Sequence, residues 1–127
     1  PPALSCDMSG AGTTSHAGYA EGSRFLPDVA GLYQRYADAT GGEVPVVPDV
    51  LPGYNDRGVR PRLEHYSIPR ARAPGAGEGT FLADMLTQVA DRWGSPEAPF
   101  VLVTSWNEWN EDTAIEPVVR APGTKDG

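Results

Sequence analysis

The chain has 127 residues, enough for one small domain, and a formal net charge of −7. That acidic balance, with no basic cluster, argues against a nucleic-acid partner. No apolar run approaches the ~20 residues of a membrane-spanning helix, and the single cysteine, Cys6, excludes an internal disulfide and a cysteine-based zinc site.

Residues 1–22 are rich in Gly, Ser, Thr and Ala and read as a surface loop or extended lead-in. The Gly-containing run from Ser9 to Ser15 lacks the Gly-Lys-Ser/Thr ending of a phosphate loop, and no strand precedes it. His16 reads as a solvated loop histidine. From Ser23 the pattern turns helical, with Phe25, Leu26, Val29, Leu32, Tyr33 and Tyr36 at helical spacing. Pro27 confines the helix start to its neighbourhood, and Gly41-Gly42 supply the left-handed conformers that end it. Tyr33 and Tyr36 are expected in the core.

Residues 44–50 are rich in valine and predict a strand, although Pro45 and Pro48 each remove a ladder donor. A long loop is expected from Pro52 to Gly79, opened by the Pro52-Gly53 turn signal. It holds Tyr54, Asn55, Asp56, His65 and Tyr66. It also holds the scattered cations Arg57, Arg60, Arg62, Arg70 and Arg72, and ends in a stretch, Ala71 to Gly79, expected to be flexible. A second helix follows, with Phe81, Leu82, Met85, Leu86, Val89, Ala90 and Trp93 on one apolar face. Thr80 is its candidate N-cap, Gly94 and Pro96 stop it, and Trp93 is expected in the core.

Phe100 to Val103 then predict a strand buried on both faces, of the kind found in parallel sheets flanked by helices. In such folds chemistry sits at the carboxyl ends of the strands. Glu108 and Glu111 fall there, three residues apart, among Trp106, Asn107 and Trp109. In a helical turn their Cβ atoms would lie on the order of 5–6 Å apart on one side. Two such carboxylates can serve as acid and base in glycoside hydrolysis, and indole faces stack on sugar rings. The ordinary alternative is a solvated or arginine-paired loop carboxylate, but no Lys or Arg follows in sequence until Arg120. Helix, strand, loop, helix, strand gives a parallel α/β unit.

Residues 104 to 117, Thr-Ser-Trp-Asn-Glu-Trp-Asn-Glu-Asp-Thr-Ala-Ile-Glu-Pro, resemble the S-[FW]-N-E-W-x-E-G-T-x-I-E-P signature of the glycoside hydrolase family 99 endo-α-mannosidases and their bacterial relatives. Residues 52 to 61, Pro-Gly-Tyr-Asn-Asp-Arg-Gly-Val-Arg-Pro, are similar to that family's P-G-Y-D-D-T-x-x-R-P. The chain departs from the pattern at Asp112, where the family usually has Gly, and at Asn55, where it often has Asp. The resemblance implies that residues 1–127 are the C-terminal portion of a (β/α)₈ TIM barrel, with an irregular tail at 118–127. A whole barrel takes ~250 residues, and the first residue, Pro rather than Met, agrees with a chain that starts inside a longer protein.

The implied activity is retaining hydrolysis of internal α-mannosidic linkages in an oligosaccharide or polysaccharide. Glu111 would be the acid and Glu108 the base. The base would deprotonate the sugar 2-hydroxyl to give a 1,2-anhydro intermediate, with no metal or cofactor. Asn107, Trp109, Tyr54 and Asp56 would contact substrate, although the Tyr54 ring could equally close the end of the fold. Two alternatives stay open. A similar N-E-W-x-E-G signature occurs in WbsX-like proteins of polysaccharide assembly, proposed glycosyltransferases, although Thr113 and Ile115-Glu-Pro favour the hydrolase. A non-catalytic sugar-binding relative, with Asp112 as its mark, is the other. No signal peptide is visible, and a secreted or cell-envelope setting for the parent protein fits a glycan substrate.

Overall fold

The computed structural model describes residues 18–60 and 67–117. Most of the lead-in, with Cys6 and His16, lies outside the described residues, as do His65, Tyr66 and the tail from 118 onward. The described chain is a mixed α/β unit. A 3₁₀ turn, Gly22–Arg24, opens into α1, Phe25–Thr40. Strands β1, Asp49–Val50, and β2, Tyr54–Asn55, follow, then β3, Ser67–Ile68. Helix α2, Thr80–Met85, continues through a π-helical turn, Leu86–Ala90, into the short α3, Asp91–Trp93. Strand β4, Leu102–Val103, precedes the Glu108/Glu111 segment.

Helix α1 buries Phe25, Leu26, Val29 and Tyr33, spaced to share one face. It ends as its glycines predict. Gly41 takes φ 62° and Gly42 donates its N–H to the Ala37 carbonyl at 3.0 Å. The facing helix buries Phe81, Met85, Val89 and Ala90, and Val50, Leu51 and Ile68 close the core. The Phe25 and Phe81 rings meet edge to face at 6.0 Å, and Tyr19 meets Phe25 the same way at 5.4 Å. Each fully buried ring stabilises by about 1.5–3 kcal/mol. Trp93 is half-buried and stacks on Tyr33 at 6.1 Å; Tyr36 is also half-buried.

The sheet expectation holds in its direction and fails in its extent. β1 and β4 pair in parallel, Asp49 with Leu102 and Val50 with Val103, across the intervening helix. The predicted strand at 44–50 shrinks to its last two residues. The prolines account for that: Pro48 has no N–H, and its carbonyl alone joins the ladder, accepting from Leu102 at 2.9 Å.

Four further expectations need correction. Phe100–Val103 is not buried: all four residues are exposed, Phe100 by 67%. β4 pairs with β1, which packs in turn on the helical run at 86–90, and among the described residues the side chains of 100–103 stay open. The loop at 52–79 contains an antiparallel pair, with Tyr54 opposite Ile68 and Asn55 opposite Ser67. Its Ala71–Gly79 end is anchored, because the Ala71 and Arg72 carbonyls accept from Gly22 and Ser23 at 3.1 Å each. Finally, Thr80 does not cap α2. Gly79 occupies the cap position at φ 82°, while the Thr80 hydroxyl accepts the Arg72 N–H at 3.0 Å and donates to the Gly77 carbonyl at 2.7 Å.

Candidate active site

Strand β4 ends at a polar joint. Asp49, buried on β1, accepts the Thr104 hydroxyl on its two carboxylate oxygens at 3.1 and 3.0 Å. Its own N–H donates to the Tyr33 hydroxyl at 2.9 Å. Burial raises the Asp49 carboxyl above its ordinary value, and the bond from Thr104 works against that shift. The following peptide bond, Thr104–Ser105, is cis.

From Ser105 the chain leaves the sheet in a loop closed on itself. The Ser105 N–H donates to the Thr113 carbonyl at 2.9 Å, and the two hydroxyls lie 3.1 Å apart. Ser105 Oγ also accepts the Glu108 N–H at 2.9 Å. Thr113 is buried beneath the loop. The paired hydroxyls tie the two ends of the loop together, and Ser105 Oγ also holds the Glu108 N–H. Inside, the backbone turns instead of forming a helix: the Asp112 N–H reaches the Trp109 carbonyl at 3.3 Å and the Thr113 N–H the Glu108 carbonyl at 3.3 Å.

The two glutamates therefore have unlike surroundings. Glu108 is exposed, and its Oε1 accepts the Asn110 N–H at 3.0 Å. Asn107, Trp106 and Trp109 are exposed beside it, the indoles by 59% and 53%. Glu111 turns toward the hairpin, where its Oε1 accepts Arg60 Nη2 at 2.6 Å. The same guanidinium donates through Nη1 to the Tyr54 hydroxyl at 2.8 Å and to the buried Asp56 carboxylate at 3.0 Å. Asp56 first, then Glu111, push the Arg60 guanidinium further up from its ordinary value. Burial, followed by the Glu111 and Asp56 charges, raises the Tyr54 phenol.

The loop is fastened to the hairpin at three more points. The Asn55 N–H donates to the Glu111 carbonyl at 2.8 Å. Arg70 Nη1 donates to the Asp112 carbonyl at 3.0 Å, and Nη2 to the Ala114 carbonyl at 3.0 Å. Asp112 itself sits at φ 53°, a left-handed conformation, with its carboxylate 3.4 Å from Arg70. Burial raises that carboxyl, and the Arg70 charge opposes the rise.

Of the residues singled out from sequence, Tyr54, Asp56 and Glu111 converge on Arg60. Asn107, Glu108 and Trp109 stand on the exposed part of the loop. Arg60, Arg70, Ser105 and Thr113 are not among the residues that the sequence points to as catalytic or substrate-contacting. Arg60 lies inside the residues 52–61 motif and follows Asp56 at helical spacing, which was the available signal. Asp49 was legible as a lone charge in a valine-rich strand.

Among the described residues, no group of three or more His, Cys, Asp or Glu is placed to hold a metal ion, and no helix is long and apolar enough to cross a membrane. No protein-family model, curated protein or solved structure matches this chain at a significant level.

Proposed function

We propose that this chain is the C-terminal portion of a (β/α)₈ glycoside hydrolase that cleaves internal α-mannosidic linkages with retention. The observation that carries the reading is the loop after β4. It presents two glutamates with different partners, beside two exposed indoles, at the carboxyl end of a parallel strand pair. The two carboxylates are held differently, Glu108 by the loop's own backbone and Glu111 by the hairpin, and the assignment of acid and base between them comes from the motif resemblance.

Glu111 gives its proton to the leaving glycosidic oxygen, and Glu108 takes the proton of the sugar 2-hydroxyl. The freed O2 closes on C1 as the C1–O bond to the leaving group breaks. Water then opens the 1,2-anhydro ring from the opposite side, so two inversions give retention. In this second step Glu111 accepts the water proton and Glu108 returns its proton to O2. Asn107 and Trp109 contact the sugar, and Tyr54 and Asp56 shape the rim from the hairpin side.

The test is leaving-group dependence in the full-length protein. Glu111→Gln is expected to lower cleavage of a natural mannoside by ~10²–10⁴-fold and largely spare a mannosyl fluoride, which needs no proton to depart. Glu108→Gln should damage both. A 2-O-methyl substrate should resist the wild-type enzyme. Equal loss on both leaving groups for both variants would remove the role assignment, and ready turnover of the 2-O-methyl sugar would remove the anhydro intermediate. Sugar release only from a nucleotide-sugar donor would favour the glycosyltransferase. One observation favours a second reading, sugar binding without turnover: Arg60 already occupies a Glu111 oxygen. Measured binding with no hydrolysis in the full-length protein would select it.

A further inference from the structure

We propose that Arg60 is the positioning residue of Glu111, holding Oε1 so that the transferable proton is confined to the other carboxyl oxygen. The proposal rests on the reading of Glu111 as the general acid.

Exposed ion pairs are usually weak, but this one is built into its surroundings. The Asp56 carbonyl accepts the Val59 and Arg60 N–H groups at 3.1 and 2.9 Å, a tight turn that brings Arg60 back over Asp56. The Asp56 carboxylate, buried to 2% exposure, then holds Nη1 at 3.0 Å with help from the Tyr54 hydroxyl at 2.8 Å. With Nη1 fixed, the planar guanidinium fixes Nη2 as well. The opposite partner is equally constrained, since Asn55 on β2 holds the Glu111 carbonyl at 2.8 Å. Glu111 is thus gripped at its backbone and at one side-chain oxygen by the same hairpin.

The chemical consequence follows from lone pairs. An oxygen accepting a guanidinium N–H is the carbonyl oxygen of a neutral carboxyl group, so the O–H lies on Oε2. Exchanging the two oxygens requires the 2.6 Å contact with Arg60 to be broken. When the proton leaves for the glycosidic oxygen, the new carboxylate charge already faces a cation. Tyr54 and Asp56 thereby act through Arg60, as residues that hold the holder.

Two measurements on the full-length protein test this. In the first, kcat and KM are compared for a natural mannoside and a mannosyl fluoride. Arg60→Met is expected to lower kcat on the natural linkage by about 10²-fold, with KM little changed and the fluoride within about threefold of wild type. Arg60→Lys should fall between, because one ammonium cannot bridge Glu111 and Asp56 as the fork does. Equal loss on both substrates, or full activity of Arg60→Lys on the natural one, would overturn the proposal. In the second, ¹⁵N spectra of arginine side chains should show separate Nη resonances for Arg60, and the Nη2 resonance should shift in Glu111→Leu while the Asp56 and Tyr54 contacts keep Nη1 in place. Merged resonances in a wild-type protein that hydrolyses the mannoside would overturn the assignment of Arg60 alone. Separate resonances in a wild-type protein that hydrolyses neither substrate would remove the acid reading, and Arg60 would remain an ion pair without a catalytic partner.

Discussion

Asp112 holds a left-handed backbone conformation, φ 53°, inside the loop that carries both glutamates. For residues with a Cβ that conformation costs roughly 1–2 kcal/mol, less for Asp, whose short polar side chain tolerates it. The glycine of the resembling motif fits the same geometry at no steric cost. Asp112→Gly loses only the 3.4 Å carboxylate contact with Arg70, because the Arg70 bonds to the Asp112 and Ala114 carbonyls do not depend on the side chain. A half-exposed contact of that kind is worth about 0–1 kcal/mol. Asp112→Gly should therefore keep stability within about 1 kcal/mol of wild type, and activity equal or higher. Asp112→Val should lose about 1–2 kcal/mol, because a β-branched residue fits the left-handed region worst. Urea unfolding of the full-length protein with parallel assays measures both. A large loss of turnover in a well-folded Asp112→Gly variant would give the carboxylate a role of its own.

Gly53 shows how one backbone position joins the hairpin to the loop. A Cβ there would lie 2.7 Å from Arg70 Cγ and 2.9 Å from the Ile68 carbonyl oxygen. The carbonyl belongs to β3 and cannot move without disturbing the pairing with β2. Gly53→Ala should cost about 1–3 kcal/mol through overpacking, read as a lower urea midpoint. It should also displace Arg70 from the loop carbonyls, so activity should fall further than stability alone explains. The elements themselves were unevenly legible. The two helices were readable because apolar spacing and glycine or proline stops repeat over many residues, as in Phe25 to Gly41. The parallel direction of β1 and β4 was readable from the helix between them. The hairpin was not, since each of its strands is two residues long and its pairing depends on partners well apart in the chain. The Glu111–Arg60 contact was hidden for the same reason: its partners are 51 residues apart, and local spacing carries no information at that range.

At the scale of the described chain, a packed core stands beside an exposed apolar strip. The helices and β1 share the core, while Phe100, Val101, Leu102 and Val103 line an apolar strip on a strand with one described neighbour. An unpaired apolar strand edge templates association. The isolated 127 residues should therefore be inactive, poorly stable and increasingly associated as concentration rises, with Leu102→Lys reducing the association seen by sedimentation. A soluble, cooperatively melting monomer that cleaves mannan would contradict both that expectation and the proposed barrel.

The fastening of the acidic loop to the hairpin also bears on how the chain folds. The α1 turns and the α2-to-α3 run close over a few residues, whereas Asn55, Arg60 and Arg70 must each find the loop across more than half a helix-and-strand repeat. Contacts of long sequence separation pay their loop entropy before they return anything. The helices can thus form from neighbours. The Phe25–Phe81 contact, the β1–β4 pair and the fastening of the loop all join residues far apart in the chain, so the loop is expected to take its place together with the core.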